Sequence, residues 1–203
     1  MEIYIIRHGQ TDWNKAYRLQ GRSDIPLNEE GRRLARKTAE ALQDVPFARA
    51  YTSPLARACE TAKILLAGRD VPVVEDPRLL EIGFGVYEGR ISRGEGYNVP
   101  DRKFDWFFTA PDRYMPPPGG ESISQLCVRT TAFLRELIHT PSLADKTVLV
   151  STHGAAVRGL LSTVNMEGPG DFWHGKVQKN CAVSVLSVQN GKMILRQEGA
   201  VYY

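Results

Sequence analysis

The chain has 203 residues, of which 42% are hydrophobic, and a formal net charge of +3. This length predicts a single domain whose core needs no disulfide or metal ion for stability. The basic residues are scattered, which argues against a nucleic-acid-binding protein, and every apolar run is too short for a membrane span or a signal-peptide core. Three widely spaced cysteines without a Cys-x-x-Cys pair favour reduced thiols and a cytoplasmic location.

Strands and helices alternate through the first part of the chain. Short apolar runs predict strands over residues 2–6, 48–52 and 71–75. Between them, helical spacing predicts one helix from its cap at Asn28 to about Asp44, and another through Leu66 with Ser53 as cap and Pro54 at its first position. Helices that connect successive strands in this way indicate a parallel sheet.

Residues 90–120 interrupt this alternation. They are rich in proline and glycine and contain the aromatic residues Phe104, Trp106, Phe107, Phe108 and Tyr114. This composition predicts an insertion that covers one face of the domain, and a substrate lid is one interpretation of it. The aromatic side chains fit a small accessory core and a substrate-facing wall equally well.

The regular pattern returns after the insertion. A helix is predicted from Ser122 to His139, and a buried strand over 147–151 leads into a helix that begins at Gly154. Residues 183–197 predict an antiparallel hairpin around an Asn-Gly turn. We therefore expect an α/β protein: a three-layer sandwich with a mostly parallel central sheet, helices on both faces and a C-terminal antiparallel hairpin.

Four segments that follow predicted strands carry side chains suited to phosphate. They are residues 7–9, 53–57, 80–85 and 151–154. Ligands gather at the carboxyl ends of parallel strands, where helix N-termini point free amides outwards. The segments are therefore expected to meet around one anion-sized space, which would hold His8, Arg7, Arg57, Glu81 and His153.

These residue types fit phosphoryl transfer through a covalent phosphohistidine. A neutral His8 is expected to attack phosphorus while Arg7, Arg57 and a protonated His153 neutralise charge on the phosphoryl oxygens. Glu81 is expected to protonate the departing alkoxide and then to take a proton from the hydrolytic water. Glu88 is the alternative to Glu81 in this role, although a solvated or salt-bridged Glu88 is the expected outcome.

Six motifs, in this order, resemble those of one known family. The first is Arg7-His8-Gly9-Gln10-Thr11-Asp12-Trp13-Asn14, and the others span residues 24–31, 53–62, 81–89, 119–122 and 151–154. They cover nearly the whole chain and resemble the histidine phosphatase superfamily in its phosphoglycerate-mutase-like branch. The resemblance implies a phosphorylated nucleophile at His8, a phosphate pocket completed by Arg7, Arg57 and His153, and Glu81 as acid and base. The predicted substrate-binding residues are Asn14, Thr11, Gln20, Gly21 and Gly154.

Within this family the chain looks more like the short broad-specificity and α-ribazole phosphate phosphatases than the true mutases. The mutases carry a longer insertion with basic residues for a second acidic group, whereas Arg102-Lys103 is the only basic doublet in this short, aromatic insertion. We therefore expect a phosphatase that hydrolyses small-molecule phosphomonoesters. The alternatives are a cofactor-dependent phosphoglycerate mutase and a phosphate-binding module without turnover.

No cofactor and no catalytic metal are expected, because the sequence has no His-Glu-x-x-His motif and no clustered carboxylate set. The expected partner is a small phosphorylated metabolite, with no nucleic acid and no membrane, and the protein is expected to be a monomer or a homodimer. His139 and His174 lie outside the motifs and are expected to be structural or exposed, with the rim of the site as an alternative for His174. Glu121 is expected to orient an arginine or to cap the helix near Ser122.

Overall fold

The computed structural model describes residues 1–174 and 177–203, which form a six-stranded sheet flanked by helices. The strands are β1 (Glu2–Arg7), β2 (Phe47–Thr52), β3 (Val73–Glu75), β4 (Thr147–Thr152), β5 (Val183–Gln189) and β6 (Lys192–Ala200). Their order across the sheet is β3-β2-β4-β1-β5-β6.

Strands β1 to β4 are parallel to one another. β1 pairs with β4, β4 with β2 and β2 with β3 in parallel, while β5 runs antiparallel to β1 and β6 antiparallel to β5. The expected mostly parallel sheet with a C-terminal antiparallel hairpin is therefore confirmed. Because β1, β2 and β4 are neighbours, their carboxyl ends at Arg7, Thr52 and Thr152 lie along one edge of the sheet.

Helices cover both faces of the sheet, as expected. The α-helices are α1 (Asp12–Lys15), α2 (Glu29–Ala41), α3 (Ala56–Leu65), α4 (Trp106–Thr109), α5 (Ile123–Ile138) and α6 (Gly154–Asn165). Ile3 and Ile5 of β1 pack in one core with residues of α5 and α6, whereas Ile6 packs in a second core with residues of α2 and α3. Side chains alternate between the faces of a strand, so one short strand contributes to both cores. Among residues 1–174 and 177–203, every helix is too short or too polar to span a lipid bilayer.

The insertion has a core of its own. Phe104, Phe107 and Tyr114 are at least nine-tenths buried, and they pack with Phe84 and Trp173 from outside the insertion. The ring centroids of Phe84 and Phe107 are 5.2 Å apart in an edge-to-face arrangement, a geometry that aromatic pairs favour. One of the two interpretations of the aromatic cluster, an accessory core, therefore holds for these residues.

The start of α3 differs from the prediction. The helix begins at Ala56, so Ser53 and Pro54 lie ahead of it. The Ser53 hydroxyl does not serve as the cap: it accepts from the Leu55 amide at 3.4 Å, ahead of the helix, and contacts His153 Nε2 at 2.7 Å. The Ala56 amide instead donates to Asp24 Oδ1 at 2.8 Å. A carboxylate from a distant loop thus satisfies a free amide of the first turn.

Candidate active site

The carboxyl ends of the central parallel strands border a cavity of about 360 Å³. Eight of the ten predicted site residues line it: Arg7, His8, Asn14, Gln20, Gly21, Arg57, Glu81 and Gly154. The other two, His153 and Thr11, are fully buried and contact lining residues from behind. Glu81 does not directly follow a strand as predicted, because β3 ends at Glu75 and a 3-10 turn over Pro77–Leu79 intervenes.

His8 is held as a neutral imidazole whose Nε2 has no hydrogen-bond partner among the described residues. Its Nδ1 lies 2.6 Å from the carbonyl oxygen of Gly9. Since a carbonyl only accepts, Nδ1 carries the proton and Nε2 keeps its lone pair. Burial, together with the positive charges of Arg57 and Arg7, holds the pKa of His8 well below its ordinary value. The ring is therefore uncharged at neutral pH, as nucleophilic attack requires.

His153 is also neutral, and it orients Arg57. Arg57 Nε donates to His153 Nδ1 at 3.1 Å, and His153 Nε2 donates to Ser53 Oγ at 2.7 Å. With one ring nitrogen accepting, the imidazole carries a single proton. Burial, with the nearby charge of Arg57, lowers the pKa of His153 well below its ordinary value. The expected protonated His153 is therefore wrong: beside a buried guanidinium, a second positive charge is strongly disfavoured.

The Arg57 guanidinium is fully buried and anchored on three sides. Besides its bond to His153, it donates to the carbonyl oxygens of Ser23 at 2.7 Å and Gly21 at 2.8 Å. Burial lowers the pKa of Arg57 to about 10, so the side chain remains cationic at neutral pH. The ring centroids of His8 and His153 are 5.1 Å apart. Because Arg57 is bonded to His153, the structure fixes one cation beside His8.

Glu88 holds the loop that anchors Arg57. Its carboxylate accepts from the backbone amides of Arg22 at 2.8 Å, Ser23 at 2.7 Å and Phe84 at 3.2 Å. Gly21 is needed for this contact, because a Cβ there would lie 2.1 Å from Glu88 Oε1 and its φ is +49°. Glu88 therefore has a structural role and does not line the cavity, whereas Glu81 is the carboxylate among the described lining residues.

Arg7 supplies a second cation with an unused donor. One of its terminal nitrogens, Nη1, donates to the carbonyl oxygen of Gln178. Its Nε is buried and has no hydrogen-bond partner among the described residues. A Cβ on Gly154 would lie 3.6 Å from this Nε and 3.6 Å from Glu81 Oε2. A buried donor without a partner is costly, and a bound anion in the cavity would satisfy it.

Backbone amides hold the Glu81 carboxylate in place. It accepts from Ile82 at 2.9 Å and, at the N-terminus of α6, from Ala155 at 3.1 Å and Ala156 at 3.0 Å. Behind it, Arg129 donates to the Glu81 carbonyl at 3.1 Å. The same guanidinium pairs with Glu121 at 2.7 Å, so Glu121 orients an arginine as expected.

Asn180 is a site residue that the sequence did not reveal. Its Nδ2 lies 3.0 Å from the carbonyl oxygen of His8 and 3.2 Å from Asn14 Oδ1. Asn14 Oδ1 also accepts from the Thr11 amide at 3.1 Å, which leaves the Asn14 amide nitrogen available to the cavity. Thr11 itself caps α1 and is fully buried, so its predicted contact with substrate stays a prediction. Asn180 precedes β5 and belongs to no motif, so the sequence does not identify it as a site residue.

The remaining part of the cavity wall is aromatic and cationic. Its described side chains include Tyr17, Arg18, Phe84, Arg93, Phe107, Phe108, Trp173 and Lys179. Of the insertion's aromatic side chains, Phe107 and Phe108 border this cavity, so the second interpretation of the cluster, a substrate-facing wall, stays a prediction. His139 and His174 are exposed, and neither lines this cavity. Within residues 1–174 and 177–203, no three His, Cys, Asp or Glu side chains form a group able to hold a metal ion.

Known proteins share both the sequence pattern and the fold. The model of the histidine phosphatase superfamily (branch 1) matches residues 3–199. The probable phosphoglycerate mutase GpmB of Proteus mirabilis is 34% identical over 190 residues, which cover 94% of this chain and 86% of that protein. The structure of Bacillus stearothermophilus YhfR is similar with a TM-score of 0.90 and 32% identity, covering 98% of this chain and 97% of that chain. A mycobacterial glucosyl-3-phosphoglycerate phosphatase, solved with VO3, is similar with a TM-score of 0.85 and 27% identity over 98% of both chains.

Proposed function

Because the chain belongs to the histidine phosphatase superfamily (branch 1), we propose that it is a metal-independent phosphomonoesterase that forms a phosphohistidine at His8. The observation that carries this proposal is the 2.6 Å contact from His8 Nδ1 to the Gly9 carbonyl, which leaves Nε2 unprotonated inside a cationic cavity. The substrate is an ester of a small organic molecule. Its phosphoryl oxygens lie against Arg7 and Arg57, and the Asn14 amide adds a neutral donor.

In the first step, the lone pair of His8 Nε2 attacks phosphorus and the bond from phosphorus to the ester oxygen breaks. The departing alkoxide takes a proton from Glu81. The phosphorylated ring gains a positive charge, which the Gly9 carbonyl stabilises through Nδ1–H. In the second step, water attacks phosphorus and gives a proton to Glu81. The phosphorus–nitrogen bond then breaks, which releases inorganic phosphate and restores neutral His8.

The second candidate function is a phosphoglycerate mutase, since the Proteus mirabilis relative bears that name. A mutase keeps the phosphoryl group on the enzyme until an intermediate rebinds, whereas a phosphatase passes it to water. The insertion favours the phosphatase. Among the insertion's described cations only Arg93 lines the cavity. The basic doublet does not: the Arg102 guanidinium carbon lies 3.9 Å from the Tyr97 ring centroid and Lys103 Nζ lies 5.9 Å from that of Trp106. A binding module without turnover has no need of a free imidazole nitrogen beside a carboxylate.

Release of inorganic phosphate from para-nitrophenyl phosphate in EDTA tests the proposal. The wild type is expected to hydrolyse the ester, and His8→Ala is expected to be inactive because no nucleophile remains. His139→Ala is the matched control, since this histidine is exposed and outside the cavity. An inactive wild type that isomerises phosphoglycerate after priming with a bisphosphate would establish the mutase instead. Equal activity in His8→Ala would exclude the phosphohistidine.

Glu81→Gln tests the acid role separately. Nitrophenolate leaves with little need of a proton, whereas the more basic phenolate needs one. The variant is therefore expected to lose far more activity on phenyl phosphate than on para-nitrophenyl phosphate. Equal losses on the two esters would remove Glu81 from proton transfer.

A further inference from the structure

The segment that carries Glu81 is irregular chain. Strand β3 ends at Glu75, a 3-10 turn covers Pro77–Leu79, and residues 81–83 then run outside the regular elements. A group that transfers a proton must be held to within about 0.5 Å of its working position. Since neither a strand ladder nor a helix supplies the bonds here, the backbone carbonyl oxygens of this segment need donors from elsewhere in the fold.

Arg129 of α5 supplies most of these donors. Its guanidinium donates to the carbonyl oxygens of Arg78 and Leu80, each at 2.7 Å, and to that of Glu81 at 3.1 Å. Its other N–H groups donate to the two carboxylate oxygens of Glu121, at 2.7 and 2.8 Å. These five hydrogen bonds are as many as a guanidinium can donate. The side chain is thus fixed by a carboxylate on one side and by the Glu81 segment on the other.

Two further contacts complete this support. The Thr152 hydroxyl, at the end of β4, donates to the Leu79 carbonyl oxygen at 2.7 Å, so two side chains satisfy four carbonyl oxygens in a row. The Glu121 amide donates to the Gly83 carbonyl oxygen at 2.8 Å. The side chains of Arg129 and Glu121 are only 16% and 9% exposed, and a bidentate pair fixes the geometry of both partners.

The Glu81 carboxylate reaches from this anchored backbone to the start of α6. Its oxygens accept from the amides of Ala155 at 3.1 Å and Ala156 at 3.0 Å. Both amides belong to the first turn, where a helix offers its own amides no acceptor. The carboxylate therefore keeps its place at the cavity only while the backbone behind it stays in register with α6. Arg129 is not among the described residues that line the cavity, so it acts on the site through Glu81.

We propose that Arg129 is the positioning residue for Glu81. It fixes the backbone of residues 78–81 so that the carboxyl group faces the leaving-group oxygen of the substrate. This inference rests on the proposed phosphatase for its effect on rate, because Glu81 is the acid of that reaction. The role differs from that of Glu88, which holds the loop around Arg57 and so acts on the cation that binds phosphate.

Arg129→Lys tests the proposal on two esters. Lysine keeps the positive charge, but its ammonium group has fewer donors and no planar fork, so it cannot hold the carbonyl oxygens and Glu121 together. The variant is expected to lose about 100-fold in kcat/KM on phenyl phosphate, the effect of a displacement of about 1 Å. The loss on para-nitrophenyl phosphate is expected to be far smaller, because nitrophenolate leaves with little need of a proton. Inhibition by inorganic phosphate is expected to stay the same, since Arg7 and Arg57 keep their contacts.

Equal losses on the two esters would overturn the inference. A variant that is merely less stable supplies fewer active molecules, which lowers both rates by the same factor. Glu121→Gln is the second variant, because it keeps the shape of the partner while it removes the charge that holds Arg129. It is expected to change the ratio of the two rates in the same direction.

Arg32→Lys is the matched control for Arg129→Lys. Arg32 is also a helical arginine that pairs with carboxylates, Glu29 at 2.7 Å and Glu60 at 2.6 Å. It is not among the described residues that line the cavity, and its partners belong to α2 and α3 rather than to the Glu81 segment. The control is expected to keep the wild-type ratio of the two rates.

Hydrogen exchange of two amides, followed by NMR, gives a readout that does not need turnover. The amides of Ala155 and Ala156 donate to the Glu81 carboxylate, whereas that of Val157 donates to a backbone carbonyl oxygen at 2.9 Å. In Arg129→Lys the first two are expected to exchange at least about tenfold faster, the factor that corresponds to the loss of a hydrogen bond to a charged group. Val157 is the internal reference and is expected to keep its rate. Glu81→Ala gives the exchange rates of the two amides without the carboxylate.

The two readouts separate this inference from the proposed function. If the amides exchange faster in Arg129→Lys but the wild type hydrolyses neither ester, the proposed function fails and the anchoring of Glu81 stands. If the wild type is a phosphatase but the two amides keep their exchange rates in Arg129→Lys, the inference fails and the phosphatase assignment stands.

Discussion

Glu88→Ala is expected to impair catalysis although Glu88 does not touch the reacting atoms. Its carboxylate accepts from the amides of Arg22 at 2.8 Å and Ser23 at 2.7 Å. The same loop supplies the carbonyl oxygens of Gly21 and Ser23 that hold the Arg57 guanidinium. Glu88 is thus a positioning residue for Arg57, and its removal is expected to release the loop and misplace the cation.

The size of the effect follows from the hydrogen bonds lost. A bond to a charged group contributes about 1.5–3 kcal/mol when buried. Glu88 is partly exposed, so each of its three bonds to backbone amides contributes less than a buried one. We therefore expect Glu88→Ala to lower the free energy of unfolding by about 2–3 kcal/mol in total. A displacement of Arg57 by about 1 Å is expected to lower kcat/KM by about 100-fold.

Two esters and one denaturation curve measure these effects. Glu88→Ala is expected to lower kcat/KM equally for phenyl phosphate and para-nitrophenyl phosphate, because Glu81 still protonates the leaving group. The inhibition constant of inorganic phosphate is expected to rise, since Arg57 binds that anion less well. Urea unfolding gives the change in stability. Glu29→Ala is the control, because the Glu29 side chain is 86% exposed.

Two results would refute this reasoning. A much larger loss on phenyl phosphate than on para-nitrophenyl phosphate would show that Glu88 itself protonates the leaving group. A loss of stability with unchanged affinity for phosphate would show that the loop does not position Arg57.

Three further predictions follow from the buried charges and the tight backbone contacts. Burial lowers the pKa of His8 and His153, so below about pH 6.5 the unfolded chain binds more protons than the folded one. As the pH is lowered through this range, the free energy of unfolding is therefore expected to fall by up to about 1.4 kcal/mol per pH unit and per histidine. Urea unfolding at several pH values measures this slope, and a flat profile would contradict it. Arg57→Met removes a positive charge that lowers the pKa of His8. The midpoint of the His8 titration, followed by NMR, is therefore expected to rise in this variant, and an unchanged midpoint would disprove the coupling between Arg57 and His8. Gly31→Ala places a Cβ 2.1 Å from the Gln10 carbonyl oxygen and is expected to lower stability by about 1–3 kcal/mol, whereas Gly168→Ala, which meets nothing within 4 Å, is expected to leave Tm almost unchanged.

Much of the fold could be predicted because its signals are local. The alternating faces of β1, the Asn28 cap of α2 and the Asn190-Gly191 turn each depend on residues a few positions apart. The order of the elements then implied the parallel sheet, and the position of His8 after its first strand implied the edge where the cavity lies.

The protonation and the roles of the site residues needed the tertiary structure. Arg57 and His153 are 96 positions apart, and Ser53 is 100 positions from His153, so no sequence pattern links them. Burial, with the charge of Arg57 that this fold brings alongside, keeps His153 neutral.

Contacts between residues far apart in the chain also distinguish Glu88 from Glu81 and place Asn180 in the site. Both carboxylates accept amides from distant segments, Glu88 from a loop 65 and 66 positions away and Glu81 from the start of α6, but only Glu81 lines the cavity. Asn180 reaches the carbonyl of His8 across 172 positions. Sequence by itself determined which chemical groups the chain carries and the edge of the sheet where they collect; only the folded packing decided which atoms meet, because hydrogen bonds and buried charges depend on partners that the chain brings together from far apart.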